Sequence, residues 1–114
     1  MGFLDRVRRT ARGRVDGSTI AYLREWMSAR RGVEAFVEPR TTVTDVTVVL
    51  VAHDGEWTRR VVGERGAQRL SRDLGIPVYD VRLVGYPQRM RDHDARRRIE
   101  RRRARLAEDG VDGG

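Results

Sequence analysis

The 114-residue chain contains no cysteine and no lysine, and it has only three prolines. The absence of cysteine excludes a disulfide framework, thiolate metal ligands and a thiol nucleophile. Long apolar runs are also missing, since the longest, Val46 to Ala52, is far shorter than the ~20 residues that span a bilayer. The first residues carry charge where a secretory signal needs an apolar stretch. We therefore expect a single small domain in the cytoplasm.

Arginine is the residue that the chain has in excess. All 24 basic residues are arginine, and against 17 acidic residues they leave a formal net charge of +7. GC-rich coding favours arginine over lysine, so this choice is compatible with genomic bias as well as with selection for bidentate phosphate contacts. The positive excess does not depend on that choice. It favours a polyanionic partner.

The order of patterns predicts an α+β domain with elements in the order α-β-β-β-α-β-α. We expect a flexible basic arm over residues 1–17, a core domain over 18–87, a basic C-terminal helix over 88–108 and a disordered tail over 109–114. The strands should form one four-stranded mixed or antiparallel sheet with helices packed on one face. The Arg-rich last helix should protrude from this domain.

Two helices of the core domain have apolar residues at helical spacing. The first follows Ser18, contains Ile20, Leu23, Trp26 and Met27, and stops before Gly32. The second covers Ala67 to Leu74, after a break at residues 63–66, and Gly75 is its expected left-handed terminator. Both apolar stripes should face the core.

Four strands are predicted from alternation and from Val and Thr content. The first begins at Val33, and the second covers Val43 to His53. The third follows a turn at Asp54-Gly55, and the fourth covers Val78 to Val84. A two-residue turn at Asp54-Gly55 places Ala52 opposite Trp57. This register turns Trp57 and Val61 to the core face and leaves Val62 on the other face.

The C-terminal helix is the best functional lead. It contains nine arginines in 21 residues, and its apolar positions form no continuous stripe, so only its first turns should pack on the domain. Like charges at these spacings destabilise a free helix, and a phosphate backbone relieves the repulsion. The candidate nucleic-acid-binding residues are Arg59, Arg60, Arg89, Arg91, Arg96, Arg97, Arg98, Arg101, Arg102 and Arg103. This helix has no aromatic residue, so any base stacking would fall to Trp57, Tyr79 or Tyr86.

A second candidate surface site joins the last strand to this helix. Tyr86 and Gln88 lie there, and we add His53 beside the predicted hairpin turn. His53 and His93 fit no metal-ligand spacing, and no strand-to-helix turn has a GxGxxG phosphate loop. We therefore expect no catalytic residue, no metal and no cofactor.

Two known element orders match this chain. The order fits the core of the PD-(D/E)xK nucleases, with Asp45, Glu56 and Glu25 as candidate carboxylates, but the required lysine position falls on Thr58. At most this indicates a degenerate nuclease relative. The first five elements also follow the order of double-stranded RNA-binding domains, where the second helix opens with a basic cluster, but here Glu64 interrupts it.

Three stretches resemble a small family of uncharacterised actinobacterial proteins. They are RGVEAFVEPRTTV at 31–43, GEWTRR at 55–60 and IPVYDVRLVGYPQRM at 76–90, and the similarity covers residues 20–96. The resemblance implies no defined activity, although a generic oxidoreductase label is attached to members of the family. No residue pattern in this chain supports that label.

The expected function is that of a non-enzymatic accessory protein that binds RNA, DNA or a nucleoprotein assembly through the basic helix. One alternative is an adaptor that docks an acidic protein. A second is a small enzyme of the oxidoreductase-labelled kind. Neither alternative conflicts with the composition. The adaptor predicts that a protein co-purifies with the chain, and the enzyme predicts a bound absorbing or fluorescent cofactor.

Overall fold

The structure is a computed structural model that describes residues 17–110. The predicted arm up to residue 16 and the tail from residue 111 lie outside this described part. The elements in chain order are α1 (Gly17–Ser28), β1 (Glu34–Glu38), β2 (Thr47–Val51), β3 (Trp57–Val61), α2 (Gly63–Leu74), β4 (Val78–Asp80), α3 (Val81–Val84) and α4 (Gln88–Asp109).

The four strands form one mixed sheet in the order β3-β2-β1-β4. Strands β1, β2 and β3 are an antiparallel meander, and β4 pairs in parallel with the other edge of β1. A parallel pair needs a crossover connection, and α2 returns the chain to the start of β4. The predicted α+β class with a four-stranded mixed sheet is confirmed.

Helices α1 and α2 pack side by side on one face of the sheet. Leu23 and Trp26 of α1 and Leu70 and Leu74 of α2 are buried there. Spacings of three and four put each pair on one side of its helix. The predicted core stripes of both helices are therefore confirmed, and Gly75 ends α2 with a φ of +66° as expected.

The first turns of α4 cover the opposite face of the sheet. Met90 packs there against Phe36, Val49 and Val51, with Trp57 beside them. The expected packing of the core-domain helices on one face is confirmed by α1 and α2, and α4 supplies the cover of the other face. Every residue of β2 is buried, and a central strand that is buried along its whole length needs cover on both faces.

The predicted hairpin register is wrong by one residue. Trp57 pairs with Val51 and not with Ala52. The turn is longer than two residues, because the Ala52 amide donates to the Glu56 carbonyl at 2.8 Å and the Gly55 amide donates to the Ala52 carbonyl at 2.9 Å. Such a three-residue loop needs a left-handed residue at its end, and Gly55 has a φ of +93°.

A slip of one residue exchanges the two faces of β3. Trp57 consequently lies on the α4 face of the sheet, while Thr58 lies buried below α1. The hydroxyl groups of Thr58 and Tyr22 share a hydrogen bond of 2.7 Å. Val62 is 1% exposed and Val61 is 44% exposed, the reverse of the sequence expectation.

The predicted strand from Val78 to Val84 is wrong beyond Asp80. The Asp80 carboxylate accepts a hydrogen bond of 2.8 Å from the Arg82 amide and caps the one-turn helix α3. Gly85 then turns the chain with a φ of +73°. As a result Leu83 and Val84 are exposed and not alternating on a sheet.

Two further boundaries differ from the prediction. β2 begins at Thr47 and not at Val43, because the Thr41 hydroxyl accepts hydrogen bonds from the Val43 and Thr44 amides and holds a turn. α2 begins at Gly63, so the predicted break over residues 63–66 is its first turn.

Helix α4 is 22 residues long, about 33 Å, and follows Pro87. Met90 is its only buried residue, and every residue from Arg96 onward is exposed. The predicted protruding helix is confirmed. Within residues 17–110, no helix combines the length and the apolar composition needed to cross a bilayer.

Candidate nucleic-acid interface

Arg89 fastens the first turn of α4 to the sheet. Its Nε donates to the Ala52 carbonyl at 2.9 Å, and one terminal nitrogen lies 2.7 Å from a Glu34 carboxylate oxygen. Its side chain is 29% exposed. Arg89 was predicted to bind nucleic acid, but the structure shows it engaged inside the domain, where its charge is already matched by Glu34.

The next two turns of α4 rest on the β2–β3 hairpin. Asp94 accepts a hydrogen bond of 2.8 Å from the Trp57 indole nitrogen. Two residues further along α4, an Arg96 terminal nitrogen donates to the Asp54 carbonyl at 3.1 Å. These contacts fix where α4 leaves the domain. Asp94 is not recognisable from the sequence, because a lone aspartate in a basic helix gives no signal without its distant partner.

Arg59 and Arg60, the two candidates on β3, lie on opposite faces of the sheet. Arg59 makes a two-point ion pair with Glu38, at 2.8 and 2.9 Å, and its guanidinium lies 5.0 Å from the centre of the Trp57 ring. Arg60 lies 3.9 Å from the centre of the Tyr22 ring. The two side chains therefore lie on different surfaces, and only the ion-paired Arg59 lies on the face that α4 covers.

Glu38 is the centre of a polar network on the α4 face. Besides Arg59 it accepts hydrogen bonds from the Thr47 hydroxyl at 2.6 Å and from the Tyr86 hydroxyl. Burial raises the pKa of Glu38, but these donors outweigh it and hold the pKa below its ordinary value. Burial, and then the neighbouring Glu38 carboxylate, raise the pKa of Tyr86. This network stabilises the fold and leaves Tyr86 unavailable as a stacking platform.

Beyond Arg96 the arginines of α4 have few carboxylate neighbours. Residues 96–105 contain seven arginines and one glutamate. Arg97 lies 3.8 Å from that glutamate, Glu100, in an exposed pair of low stabilising value. Five side chains make no hydrogen bond or ion pair with any residue in the described range, and we call them the distal cluster: Arg98, Arg101, Arg102, Arg103 and Arg105.

The other surface candidates lie apart from the distal cluster. Gln88 bonds within α4 to Asp92 at 3.0 Å and to Arg91 at 3.2 Å. His53 is exposed at the hairpin turn, on the side of the domain where Arg96 docks. The structure therefore brings His53 near the base of α4, but it does not join these residues into one site.

The carboxylates tested for a nuclease site are far apart. Asp45 precedes β2 and Glu56 precedes β3, and because these strands are antiparallel the two residues lie at opposite ends of the hairpin. The seven positions between Asp45 and Ala52, the partner of Glu56, span about 23 Å. Glu56 pairs with Arg30 at 2.8 Å, which lowers the pKa of Glu56. Among residues 17–110, no three His, Asp or Glu side chains are grouped so that they could hold a metal.

A cleft of about 580 Å³ lies between α2 and the carboxyl ends of β1 and β4. The sequence analysis did not predict it, because the parallel pairing of these strands is not visible in the sequence. Its rim carries Arg40 and Arg82. Arg40 lies 3.4 Å from Asp45 and 3.7 Å from Glu64, and Arg82 lies 2.8 Å from Asp80, so the basic charge of the rim is balanced.

Comparison with family models, with curated proteins and with solved structures gives no match. The geometry of the chain itself therefore carries the functional argument. It defines an α+β domain whose arginines are mostly paired where they touch the sheet, whereas the five arginines of the distal cluster have no partner within residues 17–110.

Proposed function

We propose that this protein is a non-enzymatic accessory protein of the cytoplasm that binds nucleic acid, alone or within a nucleoprotein, through the projecting half of α4. One observation carries the proposal: the five guanidinium groups of the distal cluster have no partner among the described residues. They lie on little more than two consecutive turns of one helix, where their charges repel one another.

A polyanion removes this repulsion. Phosphate groups accept two parallel hydrogen bonds from one guanidinium, so arginine suits them better than a point charge does. Binding also releases the counterions condensed on the nucleic acid, which makes affinity depend on salt. The distal cluster therefore supports a sequence-independent grip on a phosphate backbone, and it carries no argument for sequence readout.

Arg89 and Arg59 have a different place in this proposal. Both form ion pairs with carboxylates that are themselves partly buried, Glu34 and Glu38. Removing either arginine leaves a carboxylate without its partner. Arg89 holds α4 on the sheet and Arg59 links β3 to Glu38 of β1, so the proposed interface is confined to exposed arginines of α4.

The test is a titration of the purified chain with fluorescent RNA and DNA probes at several salt concentrations. With four to five phosphates neutralised, log K should fall with log salt at a slope of about −4 on duplex DNA. Affinity should then drop about 100- to 500-fold between 50 and 200 mM salt. No binding to any probe at low salt contradicts the proposal.

A matched pair of variants locates the interface. Arg98→Glu/Arg102→Glu changes two distal arginines four positions apart on α4. Arg65→Glu/Arg69→Glu changes two exposed arginines of the same spacing on α2 that have no partner within the described residues, with the same change in net charge. The α4 variant should bind about 100-fold more weakly, because it loses two charge-assisted contacts, whereas the α2 variant should lose only a few-fold.

The alternative, an adaptor that docks an acidic protein, makes a different prediction for the same purified chain and variants. An acidic protein partner should remain bound to the purified chain after nuclease treatment and should be lost in Arg98→Glu/Arg102→Glu.

Equal loss of nucleic-acid binding in both double variants would show that overall charge, and not α4, is responsible.

A further inference from the structure

The projecting part of α4 has an apolar strip on the side turned away from the domain. Ile99 lies nine positions after the buried Met90. At about 100° per residue, this spacing places the two residues on opposite sides of the helix. Leu106 lies seven positions after Ile99 and therefore on the same side. Ile99 is 50% exposed and Leu106 is 60% exposed.

Arginines flank this strip on both sides. Arg98, Arg102 and Arg105 recur at spacings of four and three and form a row along one flank. Along the other flank lie Arg103 and, seven positions before it, Arg96, whose exposed guanidinium keeps its charge while one nitrogen donates to the neutral Asp54 carbonyl at 3.1 Å. The helix thus presents a narrow apolar strip between two rows of guanidinium groups.

We infer that the ligand of this surface is duplex DNA, with α4 lying in the major groove. The inference rests on the proposed function and names its substrate class. The major groove of B-form DNA is about 12 Å wide and admits an α-helix, whose diameter is about 10–12 Å. The two arginine rows then face the phosphates of the two strands. The strip of Ile99 and Leu106 faces the groove floor, where thymine presents its methyl group.

The alternatives fit the surface less well. The major groove of A-form RNA is deep and too narrow for a helix. A single strand offers only one row of phosphates, and residues 96–109 of α4 contain no Phe, Tyr, Trp or His on which its bases could stack. A lipid surface requires a broad apolar face, but here two large apolar side chains stand alone between arginines.

The experiment compares one 20-base-pair sequence as duplex DNA, duplex RNA and single-stranded DNA by fluorescence anisotropy, with anionic lipid vesicles as a further arm. Duplex DNA should bind at least about tenfold more tightly than the other two nucleic acids. DNA with uracil in place of thymine keeps every phosphate and loses the methyl groups. Its binding should weaken about fourfold for each methyl group that leaves the contact.

A variant pair tests the strip. Ile99→Gln/Leu106→Gln should abolish the difference between thymine and uracil DNA while leaving the salt dependence unchanged, because no charge is altered. Leu83→Gln/Val84→Gln is the control, since these residues of α3 are 84% and 56% exposed and lie outside α4. It should keep the full discrimination.

The outcomes separate the inference from the proposed function. Equal affinity for DNA and RNA duplexes, or no difference between thymine and uracil DNA, overturns the inference and leaves nucleic-acid binding standing. Binding to vesicles without binding to any nucleic acid overturns both. A preference for duplex DNA that depends on Ile99 and Leu106 supports both.

Discussion

Gly55 and Arg89 are in contact through their backbones. A Cβ atom on Gly55 would lie 1.9 Å from the Arg89 carbonyl oxygen, well inside any van der Waals contact. The Arg89 side chain reaches back to the same turn and donates to the Ala52 carbonyl at 2.9 Å. Helix α4 therefore packs directly on the hairpin turn, and the glycine in this turn sets the direction in which the basic helix projects.

Gly55→Ala should destabilise the protein for two reasons, the left-handed backbone and the clash with Arg89. We expect a loss of about 2–5 kcal/mol in the free energy of unfolding. Gly75→Ala is the control, because Gly75 has a φ of +66° but no neighbour within 4 Å of an added Cβ. It should lose only about 1–2 kcal/mol. Urea unfolding measures the loss of stability in both variants. Equal losses would contradict the close approach of α4 to Gly55.

Asp94→Ala should leave the Trp57 indole N–H without its acceptor. Because Trp57 is half-buried, we expect the free energy of unfolding to fall by about 1–2 kcal/mol. Asp92→Ala, which changes an exposed aspartate two positions away, should stay within about 0.5 kcal/mol of the parent. The same urea titrations followed by tryptophan fluorescence measure both variants. An equal loss of stability in Asp92→Ala would show that the destabilisation of Asp94→Ala does not come from the lost hydrogen bond with Trp57.

Val62→Thr and Val61→Thr test the hairpin register. Val62 is 1% exposed, so a hydroxyl group there is buried without a partner and should cost about 1–3 kcal/mol. Val61 is 44% exposed, and the same substitution should change stability by less than about 0.5 kcal/mol. Thermal or urea unfolding distinguishes the two. The register expected from a two-residue turn predicts the opposite order.

Glu38 should make stability fall in acid. Its pKa in the folded chain lies below the ordinary 4.5, so the unfolded chain takes up the proton first. The stabilisation is therefore complete above pH 4.5 and is lost as the pH falls through the lower folded-state pKa. Urea unfolding at closely spaced pH values between 3 and 6 records this loss.

Glu38→Gln removes this contribution. At neutral pH the variant should be about 2 kcal/mol less stable than the parent, because it loses the ion pair with Arg59. Its stability should also fall less between pH 5 and pH 3. Glu25→Gln, which changes an exposed carboxylate on α1, should follow the pH profile of the parent. A Glu38→Gln profile parallel to the parent's would contradict the role given to this carboxylate.

The errors of the sequence-based prediction have two physical causes, one tertiary and one local. The dipeptide Asp54-Gly55 correctly marks a hairpin turn, but a two-residue and a three-residue loop use the same residues. Helix α4 packs against Gly55 from more than 30 residues away in the chain, and this tertiary contact is not visible in the dipeptide. The error at β4 is local, because the Asp80 carboxylate caps α3 although Val81, Leu83 and their neighbours alternate as a strand would.

Charge and local pattern were determined by the sequence itself. The α+β class, the core faces of α1 and α2 and the long basic helix follow from spacing, glycine positions and composition, because these act over a few residues. Which arginines are available depends on tertiary contacts. Arg59 and Arg89 look like their neighbours in the sequence, but the sheet brings Glu38 and Glu34 to them. The distal cluster has no such partner within residues 17–110, because α4 projects away from the sheet that carries these carboxylates.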